Sequence, residues 1–382
     1  MTSASVTVAP PVTSPVDWSL ATRVARRFSR RDAFADSYLL GSLARDFGDV
    51  TEEAEGLVAE FTGLHAPGRA TAAVLDRGAW IDANVASMQR MLAPFIGRVG
   101  ERMARSPIAP LGRVAAGAEM GVLLGYLSQR VLGQYDLLVP AGDDTAAGAD
   151  GTDIGTAPSP TLPDAVYYVG VNVLALEKRF AFRPRDFRRW IAIHEVTHRA
   201  QFTGVPWMRE YFLGLVSESL GMLDADPRRL MTAIGRAVEA IREGRNPLDD
   251  GGLLGLVASD DQRASLTKVQ ALMSLLEGHG NAVMNHLGMQ HVEGVDRMAR
   301  VLQARRQARG ISGQFQKLLG FEMKMRQYEV GERFVAEIER AAGLRAIDAV
   351  WTSPEFLPTL EELQQPLAWL ERSNAAKVRN AR

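Results

Sequence analysis

Apolar and polar positions along most of the chain alternate every three to four residues, the rhythm of helices packed on one face. From Asp17-Trp18 onward the rhythm predicts helices at roughly 17–29, 32–46, 51–63, 70–104 with breaks, and 110–134. Within Val114 to Leu132 small and large apolar residues are interleaved, which suits a core helix packed closely on its neighbours. The pattern changes at Ala165-Val-Tyr-Tyr-Val-Gly-Val-Asn172, where β-branched and aromatic residues predict a strand. A helix follows over Arg185 to Phe202, bounded by Pro184 and by Thr203-Gly-Val-Pro206, with Phe187, Trp190, Ile191, His194, His198 and Phe202 on one side. Further helices are expected at Trp207–Leu223, Pro227–Arg242 and Asp261–Leu287, the last with Leu266, Val269, Met273, Leu276, Gly280, Val283 and Leu287 as its core stripe. A turn region surrounds Asn246 to Gly252, helices return at 293–309 and Phe315–Ala342, and Trp351 to Pro358 reads as a Pro-bounded loop. No repeat of fixed period is present.

The fold class that emerges is mainly α (α+β), with one small β element before the Arg185–Phe202 helix. Residues 1–16, rich in Ser, Thr, Val and Pro, read as a disordered tail, 17–140 as a helical N-terminal region, and 141–163, poor in hydrophobics, as a flexible insertion. The region 164–372 holds the chemistry described next, and 373–382 is read as a tail.

A composition of 46% hydrophobic and 23% charged residues in 382 is that of a soluble globular chain able to bury a large core. The net charge of -1, from 44 basic against 45 acidic residues, argues against a nucleic-acid or anionic-membrane binder. Arg26-Arg27 and Arg30-Arg31 are then a solvated helix face. With no Cys, disulfides and thiolate ligands are excluded, so any metal must rest on His and carboxylate. The first residues lack a basic stretch followed by an apolar one, and no uncharged apolar run approaches 18 residues, so a cytoplasmic protein is expected.

The chemistry lies in His194-Glu-Val-Thr-His198, an HExxH pattern. Helical residues four apart share a face, so both imidazoles can reach one ion while Glu195 sits beside it. Chance would supply on the order of 0.01 such matches at this composition, which weighs against two ordinary core histidines. Zinc suits two neutral imidazoles, a third protein ligand and an open fourth position, with Glu195 as the base that deprotonates a zinc-activated water. Spacing leaves the third ligand open between Glu218, on the next helix with Tyr211, Leu215 and Met222, and Glu277, set between apolar neighbours and followed by Gly278 and Gly280. The strand at 165–172 precedes the helix in the order in which zinc peptidases place an edge strand along the cleft, where it can pair with an extended substrate; the alternative is a buried hairpin strand.

Four segments, Trp190 to Phe202, Val205-Pro-Trp207, Met273-Ser-Leu-Leu-Glu-Gly-His279 and Leu319 to Tyr328, resemble the zincin-like metallopeptidase type 2 family. This is an actinobacterial group associated with hydrolase activity and with biosynthesis of a deazaflavin coenzyme, and the resemblance runs from about Trp18 to Trp369. It implies a zincin-like fold and bound zinc, and it favours Glu277, because the Leu-Glu-Gly-His element belongs to the pattern while Glu218 does not. His279 projects differently from Glu277 and is expected to support a ligand or donate to the transition state. Tyr328 and Arg326, in a segment the resemblance covers, are candidate oxyanion donors. The resulting expectation is a zinc hydrolase of peptide or protein substrates. The alternative is a non-catalytic zincin scaffold acting as a binding or regulatory module. A coenzyme-binding reading lacks a Gly-rich phosphate loop, and nothing in the sequence sets an oligomeric state.

Overall fold

The structure, a computed structural model, describes residues 14–29, 34, 37–104, 109–137, 164–221, 260–307 and 321–380. Its helices are α1 (Trp18–Phe28), α2 (Leu40–Thr62), α3 (Arg77–Ala104), α4 (Ala109–Ser128), α5 (Gly170–Phe180), α6 (Pro184–Thr203), α7 (Met208–Gly221), α8 (Asp260–His291), α9 (Val295–Gln307), α10 (Phe321–Ala342), α11 (Leu360–Gln364) and α12 (Pro366–Asn380). The strands are β1 (Thr71–Leu75), β2 (Gly133–Tyr135) and β3 (Ala165–Val169), and 3-10 turns cover Leu344–Trp351 and Pro354–Phe356. The mainly helical expectation therefore holds, with a small sheet. The expected helix at 227–242, the turn at 246–252 and the insertion at 141–163 lie outside the described residues.

The chain divides into two compact units. One comprises α1, α3 and α4. Its interior follows from glycines: a Cβ on Gly117, Gly121 or Gly125 would lie 2.5, 2.6 or 2.7 Å from the backbone oxygens of Asp17, Ala21 and Ala25. Small residues four apart on both helices thus let α1 and α4 touch backbone to backbone, the close packing that the interleaved pattern predicts. Buried Ala21 and Ala25 complete the seam.

The second unit carries the remaining elements, and α6 runs through its core. In place of the single apolar side expected, α6 is buried on nearly every face, and His194 and His198 are among its few partly open residues. Two arginines are buried in it with carboxylates that neutralise them, as buried charges require. Arg188 makes a two-pronged contact with Glu177, at 2.8 Å for each hydrogen bond, and a further ion pair with Asp46. Arg199 donates to Asp164, to Glu55 at 2.7 Å and to the Pro67 carbonyl at 2.6 Å. Helix α2 thereby lays an acidic side on α6: Asp46 on Arg188, Glu53 on Arg185 and Arg189, Glu55 on Arg199. The sequence predicts two helices, at 32–46 and 51–63, where α2 is one. Its buried residues Leu43, Phe47, Val50, Thr51, Ala54, Val58 and Thr62 keep an unbroken stripe through Gly48 and Asp49.

The sheet departs further from expectation. Its order is β1-β3-β2, with β1 parallel to β3 (Thr71 opposite Ala165) and β2 antiparallel to it (Gly133 opposite Tyr168). Strand β3 is therefore central and wholly buried, with both edges occupied, so it is not the substrate-pairing edge that its place in the sequence suggested. It also stops at Val169, and the rest of the predicted strand opens α5. Among the described residues, no helix is long and apolar enough to cross a membrane.

Candidate metal centre

Helix α6 begins on Pro184 at its first turn, with Asp186 favouring the positive end of the helix dipole. Three turns later it presents His194 and His198 on one face, with ring planes crossed at 83° and Nε2 atoms 3.2 Å apart. Helix α8 crosses that face and brings Glu277, whose Oε2 lies 3.8 Å from His194 Nε2 and 3.7 Å from His198 Nε2. These three donor atoms lie within 4.8 Å of one another. Glu218, the other candidate, is exposed on α7 beside Tyr211 and does not join them.

The glycines around Glu277 explain how the crossing is possible. A Cβ on Gly278 would stand 2.2 Å from the Gly331 carbonyl carbon, and one on Gly331 would stand 1.9 Å from the Ser274 oxygen, so α8 and α10 meet through bare backbone. Gly280 faces the other way: its Cβ would be 3.2 Å from His198 Cε1 and 3.4 Å from His194 Cε1, and its absence lets both rings rest on α8. Between the glycines, His279 is buried and stands edge-on to Trp351.

Gln201, one turn beyond His198, is fully buried. Its amide nitrogen donates to the Leu276 carbonyl at 3.0 Å and lies 2.9 Å from His279 Nδ1, while its oxygen lies 2.9 Å from His198 Nδ1. Burial and then the His198 charge push His279 down to about 3, keeping it neutral. For His198, burial opposes a charge, but Glu277, Glu195 and Gln201 together raise it to about 9. The carboxylates of Glu277 and Glu195 thus favour a positive charge at His198.

Glu195 sits beside this cluster, 7% exposed, against strand β2. A Cβ on Gly133 would lie 2.5 to 2.8 Å from its Cγ, Oε1 and Cδ atoms, so only glycine leaves room for the carboxylate. Burial pushes Glu195 up to about 7, with Glu277 adding to the rise, while His198 and the Tyr135 backbone N–H pull it down. A carboxyl poised near neutrality is suited to proton transfer. Gly133, Tyr135 and Gln201 as supports of the centre are not apparent from the sequence pattern, whereas Gly280 stands out there beside Glu277. Of the first three only Gln201 carries a local signal, an amide three residues after a candidate ligand on the same helical face. Tyr328 and Arg326 lie in the first half of α10, where side chains are outside the described residues.

The residues present fit zinc. Two imidazole nitrogens and a carboxylate oxygen are its usual donors, and a tetrahedron with bonds of about 2.0–2.1 Å separates its donor atoms by roughly 3.3 Å. The spacings of 3.2, 3.7 and 3.8 Å lie within a few tenths of that. Among the described residues, no fourth His, Cys, Asp or Glu joins the group.

The family model for zincin-like metallopeptidases matches residues 16–370. No curated protein matches the sequence. A crystal structure from Chloroflexus aurantiacus, described as that of a presumed hydrolase with a novel fold, is similar at 27% identity with a TM-score of 0.64, over 94% of this chain and 99% of that one. With nearly its whole length matched and the two histidines of its HExxH helix converging with a glutamate, this chain belongs to the zincin-like metallopeptidase family.

Proposed function

We propose that the protein is a zinc-dependent hydrolase that cleaves peptide bonds, with His194, His198 and Glu277 holding the ion and Glu195 acting as general base. The observation that carries this reading is the convergence of the two Nε2 atoms and Glu277 Oε2 beside a buried Glu195. When bound, zinc supplies a Lewis acid that polarises a carbonyl and acidifies water. Glu195 accepts the proton of the attacking water and passes it to the departing amine. Gly133 keeps the carboxylate pressed to the strand, and the Tyr135 N–H limits its swing. Gln201 holds the His198 ring, and Gly278 with Gly331 sets the depth at which Glu277 enters.

Three protein donors with no fourth among the described residues favour an open, catalytic site over a closed, structural one. The test is elemental analysis of protein purified without chelators, followed by cleavage of a mixed peptide library. About one zinc per chain and cleavage that ceases on chelation are expected. One zinc per chain with no cleavage would favour the non-catalytic scaffold, and no metal would reject both the ligand set and the mechanism.

A further inference from the structure

The Gln201 amide is not free to turn. A backbone carbonyl only accepts, so the group 3.0 Å from the Leu276 oxygen must be the amide NH2. That fixes its oxygen on His198 Nδ1, at 2.9 Å, and an oxygen only accepts, so His198 carries a proton on Nδ1. The ring nitrogen that faces His194 and Glu277 is then Nε2, the atom left to offer its lone pair to a metal. The second hydrogen of the same NH2 points to His279 Nδ1 at 2.9 Å, so that nitrogen accepts and the proton of neutral His279 sits on Nε2. One buried side chain thereby sets the tautomers of two imidazoles on different helices, reaching His279 from 78 residues away, and ties α6 to α8.

We infer that Gln201 is the positioning residue of the centre, an amide that reads its orientation from the Leu276 carbonyl and imposes the metal-binding tautomer on His198, with His279 as its second acceptor. The assignment rests on the zinc reading above. It explains why a His two residues beyond Glu277 is buried without being a ligand: it occupies the remaining amide hydrogen, so that the amide has no unsatisfied donor in the core. Orienting partners of metal-bound imidazoles are ordinarily carboxylates or carbonyls, and their loss weakens metal binding about 10–100-fold.

The experiment compares zinc affinity, by competition with a chromophoric chelator, in the wild type, Gln201→Met and Gln201→Glu. Gln201→Met keeps the volume and removes all three hydrogen bonds, and is expected to bind zinc about 10–100-fold more weakly. Gln201→Glu keeps an oxygen for His198 Nδ1 but turns its second oxygen toward the Leu276 carbonyl, so it is expected to bind zinc more tightly than Gln201→Met and more weakly than the wild type, an order that a purely space-filling role would not produce. A second measurement needs no variant: long-range proton–nitrogen NMR of the zinc-loaded wild type with labelled histidine should show the proton of His198 on Nδ1 and that of His279 on Nε2. Equal affinity in wild type and Gln201→Met, or a proton on His279 Nδ1, overturns the assignment while leaving the zinc reading intact. Absence of zinc from the wild type overturns the zinc reading and the assignment together.

Discussion

Glu195 and Gly280 separate two jobs that a zinc hydrolase must perform, proton transfer and metal retention, and each has a substitution that touches one alone. Glu195→Gln is nearly isosteric and removes only the proton acceptor, so zinc content should stay near one per chain while the cleavage rate falls at least about 100-fold. Gly133→Ala pushes on the same carboxylate from the strand side, where a Cβ would sit 2.5 Å from its Cγ. A displacement of that carboxylate by a few tenths of an ångström should lower turnover about tenfold or more with zinc content unchanged. Gly280→Ala presses instead on both imidazoles and should weaken zinc about tenfold. The metal-free variant should lose no stability, because alanine gains up to about 1 kcal/mol over glycine inside a helix. A chelator titration paired with steady-state kinetics separates the three outcomes. At this scale the sequence made His194, Glu195 and His198 legible, because their meaning lies in spacing along one helix. It left the third ligand open because Glu277 arrives from a distant helix. Gly133 was illegible, since a glycine acquires its role only from the atom that approaches it.

At the scale of elements, the crossing of α8 and α10 through Gly278 and Gly331 has no slack. Gly331→Ala places a methyl 1.9 Å from the Ser274 oxygen, forces the helices apart and should cost about 1–3 kcal/mol in urea unfolding, with weaker zinc binding as Glu277 moves. A pH effect belongs to α11, which opens on a capping box between Thr359 and Glu362. Burial raises the Glu362 carboxyl, but hydrogen bonds from Arg372 Nε at 2.6 Å and the Thr359 N–H at 2.9 Å outweigh it and hold it below its ordinary 4.5. A depressed folded value means the stabilisation is present above the unfolded pKa and is lost as pH falls through the folded one. The difference in stability between wild type and Glu362→Gln, about 0.5–1 kcal/mol at pH 7, should therefore shrink as pH falls below 4.5 and through the lower folded value. The long helices were legible because their apolar stripes persist over several turns. Strands β1 and β2 were not, being a run containing two alanines and a three-residue segment whose partner lies elsewhere in the chain. The same shortage hid the fact that β3 is flanked on both sides, since neither neighbour announces itself as a strand.

At the scale of the whole molecule, all three proposed ligands belong to one compact unit, on α6 and α8. Any ligand that binds only the folded state adds stability by mass action, about 2.7 kcal/mol when free zinc is 100 times its dissociation constant. That energy enters only those opening reactions that separate His194 and His198 from Glu277. Backbone amides of α6 and α8 that exchange through such openings should therefore gain about 100-fold in protection when zinc is added. Amides of α1 and α4, whose seam of Gly117, Gly121 and Gly125 carries no ligand, should exchange at the same rate with and without the metal. Hydrogen exchange followed by mass spectrometry on zinc-loaded and chelated protein makes the comparison. Equal protection gained in α1 and α4 would mean that zinc acts on the chain as one cooperative body. No gain in α6 would mean that the ion, where it binds, does not bridge the two helices.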